Sequence, residues 1–308
     1  MIKTKFVGLL NHLKASRKEI KNFGLSYGLS YFFTGFLKSQ KYKTRRKAIN
    51  ILDKEFGYIF KNNNKRGSSK ENIGDLPKNI FFFWAQGFDN LPFIPKESLK
   101  RIKHFYPDYH IFLISLNNFE EYVSISPKIL SLFSKKKISI QTFSDILRFN
   151  LLYKYGGCWC DATLMFFDRF PIGEQLEKNK FCSINHDSPE KSYYWGKVYP
   201  VTYTTFFMGS LKGSNIMKAC VEFFDAFYNN YNFIIDYFMN DYALILCMKY
   251  HLDNDSLNHI PYNSGTPFYL YHQLKRKKVI DIEKCKLCPQ KANWREESIF
   301  ERMPRIDG

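Results

Sequence analysis

Ser144-Asp145-Ile146-Leu147-Arg148-Phe149-Asn150-Leu151-Leu152-Tyr153-Lys154-Tyr155-Gly156-Gly157-Cys158-Trp159-Cys160-Asp161-Ala162-Thr163 carries two structural periods joined by a double glycine. Phe143, Ile146, Leu147, Asn150, Leu151 and the pair Tyr153 and Tyr155 recur at roughly helical spacing, which predicts a helix over Gln141 to Tyr155. Gly156-Gly157 stops it. The continuous apolar run from Cys158 to Phe167 then predicts a buried strand. Working outward, Asn79 to Trp84 reads as a buried strand, Pro95 to Tyr106 as a helix, and Tyr109 to Ser115 as a second buried strand bounded by Pro107-Asp108 and Asn117-Asn118. Phe181 to Asn185 and Thr205 to Leu211 are further strands, while Asn215 to Tyr228 and Phe233 to Tyr250 are helices. Alternating strands and helices imply parallel pairing, hence an α/β sheet domain that takes its ligand at strand carboxyl ends.

The chain has 308 residues, with 45% hydrophobic and 24% charged, which excludes both a disordered polymer and an integral membrane protein. Residues 1–70 hold 17 Lys or Arg against three acids (Glu19, Asp53, Glu55), so the rest keeps only +3 of a total of +17. Such a block seeks a polyanion, and an anionic membrane surface is the expected one. Nucleic acid is not expected, because no zinc-finger, RNP-type or helix-turn-helix signature accompanies the charge. The apolar stretch from Phe23 to Leu37 falls short of the ~20 residues that cross a bilayer. Flanked by Lys18, Lys21, Lys38, Lys41, Lys43, Arg45 and Arg46, it suits an interface; the alternative is a helical hairpin packed on the main domain. Asn62 to Asp75 loses apolar periodicity and reads as a linker, dividing a basic helical extension (1–70) from a catalytic domain (71–308). The tail from Leu274 is polar and basic.

Seven irregularly spaced cysteines make no disulfide framework, and no secretory signal is read at the start, so a cytoplasmic location is expected. Cys158 and Cys160 should share one strand face as packers, and Cys285 and Cys288 lack the second ligand pair that a structural zinc needs.

Asp145 and Arg148, three apart, share one helix face and can meet one ligand together. Asp161 sits in an apolar strand, where an ionised carboxylate is costly unless a cation or hydrogen-bond donors meet it. The plain alternative is an ion pair between Asp161 and Arg148, or a helix cap at Asp145. The sharper reading has Gly156-Gly157 turning the backbone to bring Asp161 to the sheet edge, beside a divalent metal and a diphosphate.

The pattern Ser-Asp-x-x-Arg, Leu-x-Tyr-x-Gly-Gly, then an aromatic residue, one residue and Asp resembles the donor-sugar region of glycosyltransferase family 32. The run Tyr-Gly-Gly-Cys-Trp-Cys-Asp-Ala-Thr is particularly similar to bacterial capsular polysaccharide synthesis proteins. The resemblance extends to Trp84, to Pro107-Asp108-Tyr109 and to Asp236-Tyr237-Phe238. It implies a GT-A fold, a Rossmann-like mixed sheet flanked by helices, with a nucleotide sugar bound across one half. Trp84 matches an aromatic residue that stacks on uracil in related sugar-transferring toxins, and Trp159 one beside the nucleotide. Asp145 and Arg148 match the pair on the donor sugar's hydroxyls, and Gly156 and Gly157 fall within the donor region.

Asp161 matches the first acid of the Asp-x-Asp motif, and Thr163 stands where the second acid would hold Mn²⁺ or Mg²⁺. A hydroxyl is a weaker ligand than a carboxylate. Either a downstream group completes the metal site, with His186, Asp187, Asp241, His251, His259 and His272 as candidates and Asp241 in the best context, or no tight metal is held. The resemblance implies a hexosyltransferase that retains configuration, using a UDP-sugar donor and a lipid-linked glycan acceptor at the inner face of the cell membrane. The alternative is a nucleotide-sugar-binding pseudoenzyme that scaffolds polysaccharide assembly.

Overall fold

The computed structural model describes residues 2–34, 40–65, 76–186, 203–260, 262–263 and 265–304. Three helices come first: α1 (Ile2–Phe23), α2 (Leu25–Thr34) and α3 (Gln40–Lys65). β1 (Asn79–Phe83), α4 (Phe93–Phe105) and β2 (His110–Ile114) form the first alternation. Two short helices, α5 (Phe119–Tyr122) and α6 (Pro127–Ser134), lead to α7 (Ile140–Tyr155) and β3 (Gly157–Asp161). Then follow β4 (Leu164–Met165), α8 (Ile172–Asn179), β5 (Phe181–His186), β6 (Tyr203–Ser210), α9 (Asn215–Asn230) and α10 (Met239–Lys249). The carboxyl-terminal part holds β7 (Tyr262–Asn263), α11 (Tyr269–Lys275), α12 (Ile282–Lys286), β8 (Gln290–Lys291) and α13 (Glu297–Phe300).

Six strands make one mixed sheet in the order β2-β1-β3-β6-β5-β7. β1 pairs in parallel with both β2 and β3, as the strand-helix alternation predicts, and β6 runs antiparallel to β3 and β5. The sheet is covered on both faces, which is why its strands read as unbroken apolar runs. Phe81 and Trp159 point into the core formed with α7 and α9, whereas Ile80, Phe82, Cys158 and Cys160 point into the opposite core. Each such fully buried side chain contributes about 1.5–3 kcal/mol.

Three sequence-based boundaries are corrected. The run from Cys158 to Phe167 breaks after Asp161, where the chain turns at Ala162-Thr163 and pairs β4 with β8 in a separate two-stranded sheet. The helix expected over Phe233 to Tyr250 begins only at Met239. Asp236 holds the preceding loop by accepting from the Phe238 N–H at 3.1 Å and the Tyr242 hydroxyl at 2.9 Å. The stretch expected as a linker is helical to Lys65, and its residues 66–75 lie outside the described residues.

The basic front end packs on the sheet domain. Leu52, Phe56 and Phe60 of α3 are buried in one core with Phe223 and Phe227 of α9, and the Phe56 and Phe60 rings lie 5.6 and 5.7 Å from that of Phe223. On α2, Tyr27 is buried and donates its hydroxyl to the Ile235 carbonyl at 3.2 Å. Leu25, Leu29 and Phe33, spaced by four, remain exposed on the same helix.

Candidate active site

The Gly156-Gly157 turn sets the register of β3. Gly156 has φ +65° and Gly157 +111°, values that side chains other than glycine rarely adopt. A Cβ on Gly157 would come within 2.5 Å of the Asn79 carbonyl, and one on Gly156 within 2.5 Å of the Lys212 nitrogen. With β3 locked against β1 in this way, Asp161 lies opposite Phe83, at the carboxyl end of a strand in the middle of the sheet rather than at its edge. Trp84 follows Phe83 at the same end.

Trp159 and Asp161, two apart on the strand, face the same side, and the indole Nε1 donates to Asp161 Oδ1 at 2.8 Å. Arg148, on the helix that covers this face, places Nη2 3.3 Å from the same oxygen and Nη1 3.2 Å from Asp145 Oδ1. Its guanidinium lies 5.0 Å from the Trp159 ring centroid. Lys291, from β8, sets Nζ 2.5 Å from Asp161 Oδ2. The Asp161 carboxylate is 26% exposed, so the ion pair is open to solvent on one side. The expected pairing with Arg148 exists, and it does not seal the carboxylate. The helix cap is Ser139, whose Oγ accepts from the Thr142 N–H at 3.1 Å, and not Asp145.

Burial pushes Asp161 up, but the Lys291 ammonium and the Arg148 guanidinium outweigh it and hold the carboxyl below its ordinary value. Burial dominates at the two neighbouring acids. Asp145 is pushed up to about 6, with Arg148 opposing and Asp161 adding repulsion. Asp241, in the first turn of α10, is pushed up to about 7, with Asp145 adding to the burial. Asn240 joins them: its amide holds the Asp145 carboxyl down against burial, donates to Thr205 Oγ1 at 3.2 Å and accepts from the Asp241 N–H at 2.8 Å. The exposed Tyr237 lies within electrostatic reach of all three acids.

The structure thus brings together Asp145, Arg148, Trp159, Asp161 and Asp241, with Trp84 at the same strand ends. It does not bring Gly156 and Gly157 there, since they occupy the opposite end of β3, about 13 Å away at the usual strand rise. Thr163 is buried in the turn after β3, where its carbonyl accepts the Ala292 N–H at 2.8 Å. His251 pairs with Asp255 on the surface at 2.7 Å, and His259 and His272 are exposed. His186 is described only in its backbone, and Asp187 lies outside the described residues. Among the described residues no three His, Cys, Asp or Glu side chains are placed to hold a metal ion. Both Asp161 oxygens already face cations, so this donor set does not fit a divalent ion held by Asp161 and Thr163.

Residues 30–290 match the family described as capsular polysaccharide synthesis protein. The chain belongs to that family. A solved structure described as PaToxG Glycosyltransferase is similar at 16% identity and a TM-score of 0.42, covering 80% of this chain and 87% of that one. No curated protein matches. The cluster from Trp84 to Asp241 lies within the span matched by the capsular polysaccharide synthesis family, and Lys291 falls one residue past its end.

Lys291, Asn240 and Trp294 were not singled out by the sequence. Trp294 lies 5.9 Å from Trp84, edge-on at 90°, and is itself exposed. A tryptophan in an otherwise polar tail was the available signal. Nothing local marks Lys291, one of many lysines in a basic chain. Cys285 and Cys288 are buried free thiols, both pushed up by burial to about 12.

Proposed function

We propose that this member of the capsular polysaccharide synthesis family is a GT-A-type glycosyltransferase that moves a hexose from a nucleoside diphosphate sugar, UDP-linked by the family resemblance, to a lipid-linked glycan hydroxyl with retention of configuration. The observation that carries this reading is Asp161. It is a part-open carboxylate at the carboxyl end of a central strand that runs parallel to β1, met by Arg148, Trp159 and Lys291. Open α/β sheets take ligands at such strand ends.

In this arrangement the nucleobase stacks on Trp84, and the sugar hydroxyls meet Asp145 and Arg148, which the helix presents on one face. In the transfer step the bond between the anomeric carbon and the β-phosphate oxygen breaks, and its electron pair leaves with the diphosphate. The acceptor oxygen bonds to the same carbon from the same face, and its proton passes to a leaving phosphate oxygen. Cations facing the diphosphate stabilise the charge that develops there.

The basic front end and the outward Leu25, Leu29 and Phe33 support a position on the anionic inner leaflet, with α2 lying in the interface. No helix among the described residues is long and apolar enough to cross a membrane. Because Tyr27 of that helix bonds the loop that carries Asp236 and Tyr237, docking would hold the site beside the lipid-borne acceptor.

The test incubates purified protein with a panel of nucleoside diphosphate sugars and follows nucleotide release, with and without lipid-linked acceptor. Asp161→Ala releasing nucleotide at the unaltered rate would remove this assignment. Thr163, in the place of the motif's second acid, favours a second reading, a nucleotide-sugar-binding scaffold. That protein would bind donor in calorimetry and never turn it over.

A further inference from the structure

We propose that Lys291 is the cation that neutralises the donor diphosphate, in a site whose acid already faces two cations and does not fit a divalent metal. The inference rests on the glycosyl-transfer reading for its catalytic meaning, but the binding it asserts can be measured without turnover.

Lys291 is delivered to the site by backbone pairing rather than by a flexible surface arm. It lies opposite Leu164 in the β4–β8 pair. Its own N–H donates to the Pro267 carbonyl at 2.6 Å, and the next N–H, of Ala292, donates to the Thr163 carbonyl at 2.8 Å. The strand that bears the lysine is therefore stitched to the turn at Thr163, where the motif's second acid is missing. The main chain thus joins the lysine's strand to the Thr163 turn, although 128 positions separate Lys291 from Thr163 in sequence.

The ammonium is oriented by two neighbours and open to solvent on a third side. Asp161 Oδ2 accepts from it at 2.5 Å, the Phe206 ring lies beneath it at 4.9 Å, and the side chain keeps 24% of its surface exposed. An ammonium has three protons, and Asp161 Oδ2 engages one of them, leaving donor capacity toward solvent. Arg148 supplies the second positive charge on the other carboxylate oxygen, and it is shared with Asp145. When the bond from the anomeric carbon to the phosphate oxygen breaks, the diphosphate gains negative charge beside the Lys291 ammonium. No proton, electron or further reactant is required of Lys291. A purely structural pair with Asp161 is the competing role, and it makes no demand on the ligand's phosphates.

The experiment uses the full chain, freed of metal and kept in EDTA, with inorganic pyrophosphate, UDP and uridine as calorimetric probes. Wild type binds pyrophosphate and UDP without added metal. Lys291→Gln weakens both by about 10-fold or more, as loss of a charge-assisted hydrogen bond would, and leaves uridine binding unchanged. Lys291→Arg restores most of the affinity. In transfer assays EDTA leaves the wild-type rate unaltered, while Lys291→Gln lowers kcat about 10²-fold.

Pyrophosphate binding that needs Mn²⁺, or that is equal in wild type and the Gln variant, overturns the proposal. Should Lys291→Gln fail to fold, the metal-free binding of wild type and of Lys291→Arg decides in its place, with absence of binding in wild type counting against the lysine. Lysine-dependent pyrophosphate binding without turnover on any donor keeps the cation assignment and discards the transfer reading.

Discussion

Arg101 and Arg148 are both buried guanidiniums, and they are employed differently. Arg101, on α4, is fully buried and donates to the carbonyls of Phe166 at 2.9 Å and Pro304 at 2.6 Å, with Glu97 3.7 Å away and the Phe167 ring 4.5 Å beneath it. It ties a helix to the turn after β4 and to the tail. Arg148 is nearly as buried, at 4% exposure, but it meets two carboxylates; the Nε of both arginines, and Nη1 of Arg148, make no hydrogen bond of good geometry. Burial alone therefore does not distinguish a structural cation from one that, on the proposed function, faces the donor. What distinguishes them is the set of partners: Arg101 gives two of its nitrogens to main-chain carbonyls and has one acid at 3.7 Å, whereas Arg148 has two acids within 3.3 Å and no carbonyl, which leaves a charged cluster that a ligand can share.

The largest effect that would break this contrast is in transfer. Arg148→Met should lower the rate about 10³-fold by removing charge stabilisation at the donor, with the fold kept because Asp161 retains Lys291; steady-state kinetics beside circular dichroism measure it. Arg101→Leu should do the opposite, costing about 3 kcal/mol in chemical denaturation while kcat at low temperature stays within about twofold of wild type. If the Leu variant instead loses activity without losing stability, the two arginines have been assigned the wrong way round.

Asp241→Asn sharpens the comparison on the acid side. The carboxyl ordinarily titrates near 3.8 and is raised to about 7 in the folded protein, so the native state holds its proton longer than the unfolded chain. Wild-type stability from this group therefore falls as pH rises from about 4 to about 7. The Asn variant should gain roughly 1–3 kcal/mol relative to wild type above that window and nothing below it, as read from urea melts at pH 4, 6 and 8. A gain that is flat with pH would remove the buried-acid assignment. Smallest is Trp294→Ala, which should weaken nucleotide binding about fivefold by removing the ring that supports Trp84 edge-on, without altering the melting temperature of a residue this exposed.

Local patterning made much of this protein legible. The apolar run Asn79 to Phe83 and the helix ending at Gly156 appear within a residue or two of their expected bounds, because each is fixed by a period that neighbours share. Asp145, Arg148 and Asp161 were legible for a related reason, since three-residue helical spacing and a carboxylate in an apolar strand are local signals with only a few physical solutions. Gly156 and Gly157 were noticed for the same turn and placed in the donor region; they lie at the other end of β3 from Asp161, because spacing shows that a chain turns and not which distant groups it brings together. The loop before α10 escaped the reading, since its fold depends on the Asp236 side chain capturing Phe238 and Tyr242.

The sequence by itself determined the alternation of strand and helix, the helix-turn-strand that ends in Asp161, and the basic first seventy residues, all of which follow from nearest-neighbour chemistry. Tertiary structure alone decided that α3 shares a core with α9, that Asp241 stands by Asp145, and that Lys291 and Trp294 reach the strand ends. Those contacts join residues far apart in the chain, and a single lysine or aspartate carries no local period that could announce which distant partner a folded backbone will bring to it.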